Sequence, residues 1–428
     1  MRRLSAVAVL CLAAFLGAAR CGEERRALAS DAPQLKAGDY VAVSGDSITE
    51  QRLYSHYIEA YLLMCKPAPD LRVTQFGWGG ETAGGFARRM ENDVLRFKPA
   101  VATTCYGMND GGSAPMTEGK GKGYHDAQKE IVEKMKKAGV RFIVVGSPGV
   151  VDADMFHKKP ADAEMYNKTL AALRDIAKQV AEEEKVVFAN VYDPMLDVMT
   201  KAKAKFGKAY HVGGSDGVHP DCNGHLVMAY AFLKALGCKG DIGTITVNVA
   251  ENKAEATDGH KVLSCKDGTV EIESSRYPFC FYGDPTKTSS TRSVLEFLPF
   301  NEELNRFKLV VTGAGDGKVK VTWGTAAKEY PAADIAKGIN LAAEFDDNPF
   351  SSPFKQVEIK ISNQQNMEVT LVKTLIHGLP EYKKFLPDDA ETVERLGAAL
   401  VKKDQVARDE SAASVGAVKH TLKIEAVR

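Results

Sequence analysis

Between Asp39 and Gly237, short runs of β-branched residues alternate with stretches whose apolar positions recur every three or four residues. That alternation predicts an α/β fold, a parallel sheet with helices on both faces. Strands are expected at residues 40–44, 71–76, 100–106, 141–145 and 186–191. Helices are expected near residues 50–64, 83–97, 126–138, 161–184 and 223–236, and the connections have the lengths that right-handed crossovers need. After Gly237 the texture changes. Residues 243–249, 306–311, 318–322 and 356–361 alternate with period two, the pattern of half-exposed strands. A second, mostly antiparallel β-rich region, read as a sandwich, is therefore expected over residues 241–428, after an α/β domain over 36–240. Within it, a charged helical segment over 388–403 reads as a solvated face of Glu and Lys pairs, and 420–427 alternates again as a final strand. No internal repeat is found.

The longest apolar run is at the N-terminus, where Arg2 and Arg3 precede a run from Leu4 to Ala19 broken only by Ser5 and Gly17. This has the shape of a signal peptide over residues 1–29, with cleavage expected after Ala29 or after Ala19, and it implies export. Cys21 raises a lipoprotein alternative, but Arg20 stands where a small residue is normally required, so soluble export is preferred. No later segment has the apolar length that spans a bilayer.

Composition narrows the class. The chain has 428 residues, 44% hydrophobic and 26% charged, which is globular and excludes collagen-like, low-complexity or wholly disordered readings. Lys plus Arg and Asp plus Glu each number 56, so nothing draws the chain to nucleic acid or anionic lipid, and the expected partner is small or neutral. Outside the leader the cysteines are Cys65, Cys105, Cys222, Cys238, Cys265 and Cys280. Export permits disulfides; Cys265 and Cys280 flank a turn-rich stretch and could close a loop, Cys105 reads as a buried thiol, and spacing does not fix a pairing. No CxxC occurs, so zinc ribbons and thioredoxin-like sites have no support.

Four places at the carboxyl ends of the predicted strands carry the chemistry. Gly45-Asp46-Ser47 follows the first strand, just before a helix whose N-terminus offers N–H groups to developing negative charge. Gly77-Trp78-Gly79-Gly80-Glu81-Thr82 follows the second, Gly107-Met108-Asn109-Asp110 the third, and Asp216-Gly217-Val218-His219 lies between the fifth strand and the last helix. Together they suit acyl transfer. A serine hydroxyl needs a base, His219 fits that role, and Asp216 can fix its tautomer. The Ser47 N–H, the Gly80 N–H and the Asn109 amide are the candidate oxyanion donors. Trp78 and Met108, beside them, are candidate substrate-lining residues.

Ser47, Gly80, Asn109 and His219 lie in the order and contexts of the four blocks of the SGNH, or GDSL-type, hydrolase superfamily, which the segment from Asp39 to Gly237 resembles. The resemblance implies a three-layer α/β/α flavodoxin-like domain and ester hydrolysis by Ser, His and Asp without a metal or other cofactor. One departure is Gln75, where the second block often begins with Asn; it bears on support of the loop, not on the donor Gly80. An alignment with Gly79 as donor stays open. No Gly-x-Ser-x-Gly elbow surrounds Ser47, which argues against the α/β-hydrolase fold.

Other readings are weaker. His211, Asp216, His219, Asp221 and Cys222 match no standard metal-ligand spacing. His225 reads as structural, Asp46 and Asp110 as caps or loop acceptors, and the aromatic run 277–282 as sandwich core rather than a sugar platform. The expected function is an exported serine esterase acting on a small ester or an acylated glycan, foremost a carbohydrate acetyl esterase. Lipase, lysophospholipase or thioesterase activity is the nearest rival, and a non-catalytic glycan-binding protein is the reading from another class.

Overall fold

The computed structural model describes residues 34–156 and 160–427. The leader and its cleavage sites, and Cys21, lie outside the described residues. The first sheet holds β1 (Tyr40–Gly45), β2 (Arg72–Gln75), β3 (Val101–Cys105), β4 (Phe142–Gly146) and β5 (Val187–Ala189) in the order β2-β1-β3-β4-β5. All neighbours are parallel, with Val41 opposite both Val73 and Val101. This is the flavodoxin-like doubly wound order. β3 and β4 are buried along their whole length because helices cover both faces, which is why their sequences read as unbroken apolar or small-residue runs. The expected α/β/α domain is borne out.

Differences from the expected elements have local causes. The helix Glu118–Lys137 begins eight residues before the expected start at 126, because Gly119, Gly121 and Gly123 depress helix propensity there and read as loop. Thr117 caps it, and Lys134, Lys136 and Lys137 close its last turn against the dipole. The last strand stops at Ala189 instead of running to 191, and an unexpected helix, Tyr192–Phe206, follows at once with Met195, Val198, Met199 and Ala202 on its buried face.

The C-terminal part contains two further sheets. One has β6 (Asp241–Asn248), β7 (Lys253–Ala256), β10 (Arg306–Thr312) and β13 (Ile339–Asn340) in the order β13-β10-β6-β7, with β6 and β10 parallel. The other has β8 (His260–Lys266), β9 (Thr269–Ser274), β11 (Lys318–Trp323), β12 (Ala326–Pro331) and β14 (Val418–Val427), antiparallel throughout. They face one another through Phe307, Trp323 and His420, with Phe307 and Trp323 ring centroids 5.9 Å apart. The final strand expected at 420–427 is present.

The strand expected at 356–361 is instead part of the helix Ser351–Thr370. The alternation of Val357, Ile359 and Ile361 misleads, since the buried set is Phe354, Val357 and Ile361, spaced three and four apart, while Ile359 is 46% exposed. That helix and the helix Ala390–Ala413 return to the first sheet. Gln364 Nε2 donates to the Val73 carbonyl at 2.9 Å, Thr74 Oγ1 donates to Asp404 at 3.2 Å, and Arg72 pairs with Asp409 at 2.8 Å. So 388–403 is not a free solvated face: its helix extends to Ala413 and buries Val393, Asp404, Arg408 and Ser411. All six cysteines after the leader are free, so the loop closure considered for Cys265 and Cys280 is not formed.

Candidate active site

Ser47 is the first residue of a short helix, Ser47–Glu50, that leaves the end of β1 directly. Buried Asp46 caps it by accepting the Ile48 N–H at 3.0 Å, and burial raises its carboxyl to about 7 despite that hydrogen bond. Gly77 has to be glycine, because a Cβ there would stand 2.3 Å from the Glu50 nitrogen. Its absence lets the loop after β2 lie on the Ser47 helix.

The Ser47 hydroxyl oxygen lies 2.8 Å from His219 Nε2, and His219 Nδ1 lies 2.7 Å from Asp216 Oδ2. Asp216 Oδ1 also accepts the Val218 N–H at 2.9 Å and the His219 N–H at 2.8 Å, so one carboxylate fixes both the turn and the ring. Partial burial pushes the Asp216 carboxyl up, but the His219 N–H, the His219 ring and the Val218 N–H outweigh it and hold it below the ordinary carboxylate value. An ionised carboxylate accepts only, so Nδ1 carries the proton and Nε2 is left to accept from Ser47.

The second and third blocks are latched together. Asn109 Nδ2 donates to the Glu81 carbonyl at 3.0 Å, and Asp110 accepts the Ala83 N–H at 3.0 Å, which makes Asp110 a support for the helix Ala83–Asp93. Burial raises the Asp110 carboxyl to about 6. Gly80 has φ +73°, a backbone that side chains rarely adopt, and is exposed. Among the described residues neither the Ser47 N–H nor the Gly80 N–H has an intramolecular acceptor. The structure thus brings Ser47, His219 and Asp216 into one hydrogen-bonded chain and ties the Gly80 loop to Asn109.

Trp78 and Met108 are placed differently from an open pocket wall. The Trp78 ring has the Arg89 guanidinium 4.7 Å and the Lys373 ammonium 4.9 Å from its centroid, with the His377 ring at 4.7 Å. Met108 is 7% exposed within the core, and its carbonyl accepts the Tyr166 hydroxyl. His225 is fully buried, with Nδ1 accepting the Tyr54 N–H at 3.1 Å and Nε2 3.0 Å from Gln51 Oε1. Desolvation lowers its pKa to about 3, consistent with a structural role. Among the described residues no three His, Cys, Asp or Glu side chains are grouped as a metal ion would require.

Supporting groups that the sequence reading missed come largely from the C-terminal helices. Gln75 Oε1 accepts the Gly77 N–H at 2.9 Å, its Nε2 donates to the Gln365 carbonyl at 3.4 Å, and its own N–H donates to Glu368 Oε2 at 2.9 Å. Gln75 therefore supports the loop after β2 directly. Lys373 pairs with Glu50 beside Gly79. Buried Glu81 takes a two-point hydrogen bond from Arg89, at 2.6 and 2.8 Å, and one from the Tyr106 hydroxyl at 2.9 Å. Gln365, Glu368 and Lys373 lie almost 300 residues from the loop, and no local pattern marks them.

Residues 43–227 match the GDSL-like Lipase/Acylhydrolase family, and this part of the chain is a domain of that family, a carboxylic ester hydrolase. The resemblance carried by the four blocks is borne out. An acetylxylan esterase from Geobacillus stearothermophilus is 24% identical over 191 residues, covering 43% of this chain and 80% of that protein. A solved acetylxylan esterase structure from the same organism is 22% identical, with TM-score 0.39, covering 48% of this chain and 97% of that one. A gut microbial diltiazem-metabolizing enzyme is 22% identical with TM-score 0.71, covering 92% of this chain and 99% of that one. The fold, including the C-terminal sheets and helices, is therefore shared nearly end to end with that structure.

Proposed function

We propose that the protein is an exported esterase that removes short acyl groups, foremost acetyl, from a carbohydrate, with Ser47 as nucleophile, His219 as general base and Asp216 as its partner. The observation that carries the reading is the unbroken path from the Ser47 hydroxyl through His219 to Asp216, with both bonds under 3 Å. In this mechanism His219 takes the Ser47 proton as the oxygen attacks the ester carbonyl, then delivers it to the departing sugar hydroxyl; water repeats the cycle on the acyl-enzyme. The Ser47 and Gly80 N–H groups and the Asn109 amide donate to the oxyanion. Their free N–H groups and the Asn109–Glu81 latch support that assignment. The acetylxylan esterase relative supports an acetylated glycan substrate. The leader-shaped N-terminus supports export.

The test pairs 4-nitrophenyl acetate with acetylated xylan at pH 7 to 8. Wild-type protein is expected to turn over both, to prefer acetyl over butyryl and palmitoyl esters, and to lose at least roughly a thousandfold in kcat on Ser47→Ala with its melting temperature nearly unchanged. Retained turnover in that variant would refute the assignment.

A further inference from the structure

A cavity of about 700 Å³ lies next to the Ser47 helix, with Gln51 and Arg52 on one side and Phe281, Tyr282, Phe354 and Lys355 of the C-terminal part on the other. That is the size of a small-ligand site. Ser47, His219 and Asp216 do not line it, but one wall continues the Ser47 helix and the other is hydrogen-bonded to the segment just past His219. Gln51 stands four residues after Ser47, on the same side of the turn, and its N–H donates to the Ser47 carbonyl at 3.1 Å. Tyr282 leads into a loop that holds the chain just past His219: the Thr288 carbonyl accepts the Asn223 N–H at 3.1 Å, and Thr288 Oγ1 donates to Asp221 at 2.8 Å.

The charges in the cavity do not cancel. Arg292 pairs with Asp347 at 2.9 Å and Glu358 lies 3.4 Å from the His56 ring, so three permanent cations, Arg52, Arg292 and Lys355, face two carboxylates. Arg52 and Lys355 have no carboxylate partner among the described residues; Arg52 Nη1 donates only to the Glu50 carbonyl at 2.9 Å. Arg52 is held at φ +58°, in the left-handed region. Tyr282 is 37% exposed although its hydroxyl is fixed 2.6 Å from that of Tyr57, and Phe281 and Phe354 are buried. A ring anchored at its edge with surface uncovered offers an apolar platform, while an arginine fork matches a carboxylate at two points.

We propose that this cavity receives the alcohol half of the ester, and that this alcohol is a sugar chain bearing a carboxylate, held by Arg52 and Lys355 while a sugar ring lies on Tyr282. The proposal rests on the carbohydrate-ester reading above. A wholly neutral glycan would leave the excess positive charge of the cavity uncompensated and give Arg52 and Lys355 no carboxylate partner.

The test is calorimetric titration of the full-length Ser47→Ala protein with a xylo-oligosaccharide carrying one glucuronic acid branch, and with the unbranched oligosaccharide of equal length. The branched ligand is expected to bind about tenfold or more tighter, and adding Arg52→Ala or Lys355→Ala is expected to weaken it roughly tenfold each. Equal affinity for the two ligands, binding of neither, or full affinity in both added variants overturns the proposal. Wild-type turnover of 4-nitrophenyl acetate, measured alongside, reports on the hydrolytic reading by itself. Its absence would count against the serine mechanism, whereas loss of the carboxylate preference alone would count only against this site.

Discussion

At the scale of single residues, Asp216 does two jobs with one carboxylate: Oδ1 holds the turn and Oδ2 orients the imidazole. Asp216→Asn separates them. The amide can keep an acceptor toward the Val218 and His219 N–H groups, but it can also present a donor to Nδ1, which leaves Nε2 protonated and unable to accept from Ser47. The expected result is a fall in kcat on 4-nitrophenyl acetate on the order of 10³- to 10⁴-fold with KM little changed. A fall of less than tenfold would show that Asp216 is only a turn former. Asp46 and Asp110, though beside Ser47 and Asn109, act through backbone amides as caps and supports.

Among elements, the loop after β2 is held from two directions, by Asn109 and Asp110 from the third block and by Gln75, Gln365, Glu368 and Lys373 through the C-terminal helices. Lys373→Met removes the Glu50 partner and the cation over Trp78. It is expected to lower kcat/KM about tenfold through the Gly80 loop, with KM changing less than kcat, a split that steady-state kinetics reads directly. A KM change with kcat intact would place Lys373 in substrate binding.

The interface behind that loop is also sensitive to pH. Burial raises the Glu59 carboxyl to about 8, against hydrogen bonds from Gln365 and Gln364, and Glu368 beside it is raised as well. In the unfolded chain Glu59 ionises near its ordinary value of 4.5, whereas the folded chain keeps that proton to about 8. Between those values the unfolded state binds fewer protons, so stability falls as pH rises. Glu59→Gln keeps the hydrogen-bonding shape without the ionisation. Its melting temperature, relative to wild type, is expected to gain more at pH 8 than at pH 5; an equal difference at both would contradict this.

The sequence made the site legible where chemistry and backbone demand coincide. Ser47, Gly80 and Asn109 follow strand ends with glycines that the close approach of the loops requires, and His219 stands three residues after Asp216 in one turn, so both residue type and position are marked locally. The supporting residues are not marked: Gln365 and Lys373 are ordinary surface-type residues whose partners lie almost 300 positions away. The same holds for the elements. Fully buried strands such as β3 and β4 announce themselves, while residues 356–361 satisfy a strand pattern and a helix pattern at once. Only the docking of Phe354, Val357 and Ile361 into the core decides between them.

Across the whole molecule, the helices after residue 350 complete the first sheet by covering β2, its edge strand, and burying Asp404 with Arg408 against Thr74 and Tyr40. A chain ending at Phe350 would expose that face and lose β14 from between β9 and β11. It is expected to lose its cooperative thermal transition, as followed by near-ultraviolet circular dichroism. A sharp transition near the wild-type temperature would show that the two parts are independent. Activation of Ser47 through His219 can be read from reaction with a fluorophosphonate followed by peptide mass analysis. One adduct is expected, on the peptide containing Ser47, absent in Ser47→Ala and strongly slowed in His219→Ala; an adduct on another residue, or undiminished labelling without His219, would contradict the assignment of Ser47 as a nucleophile activated by His219.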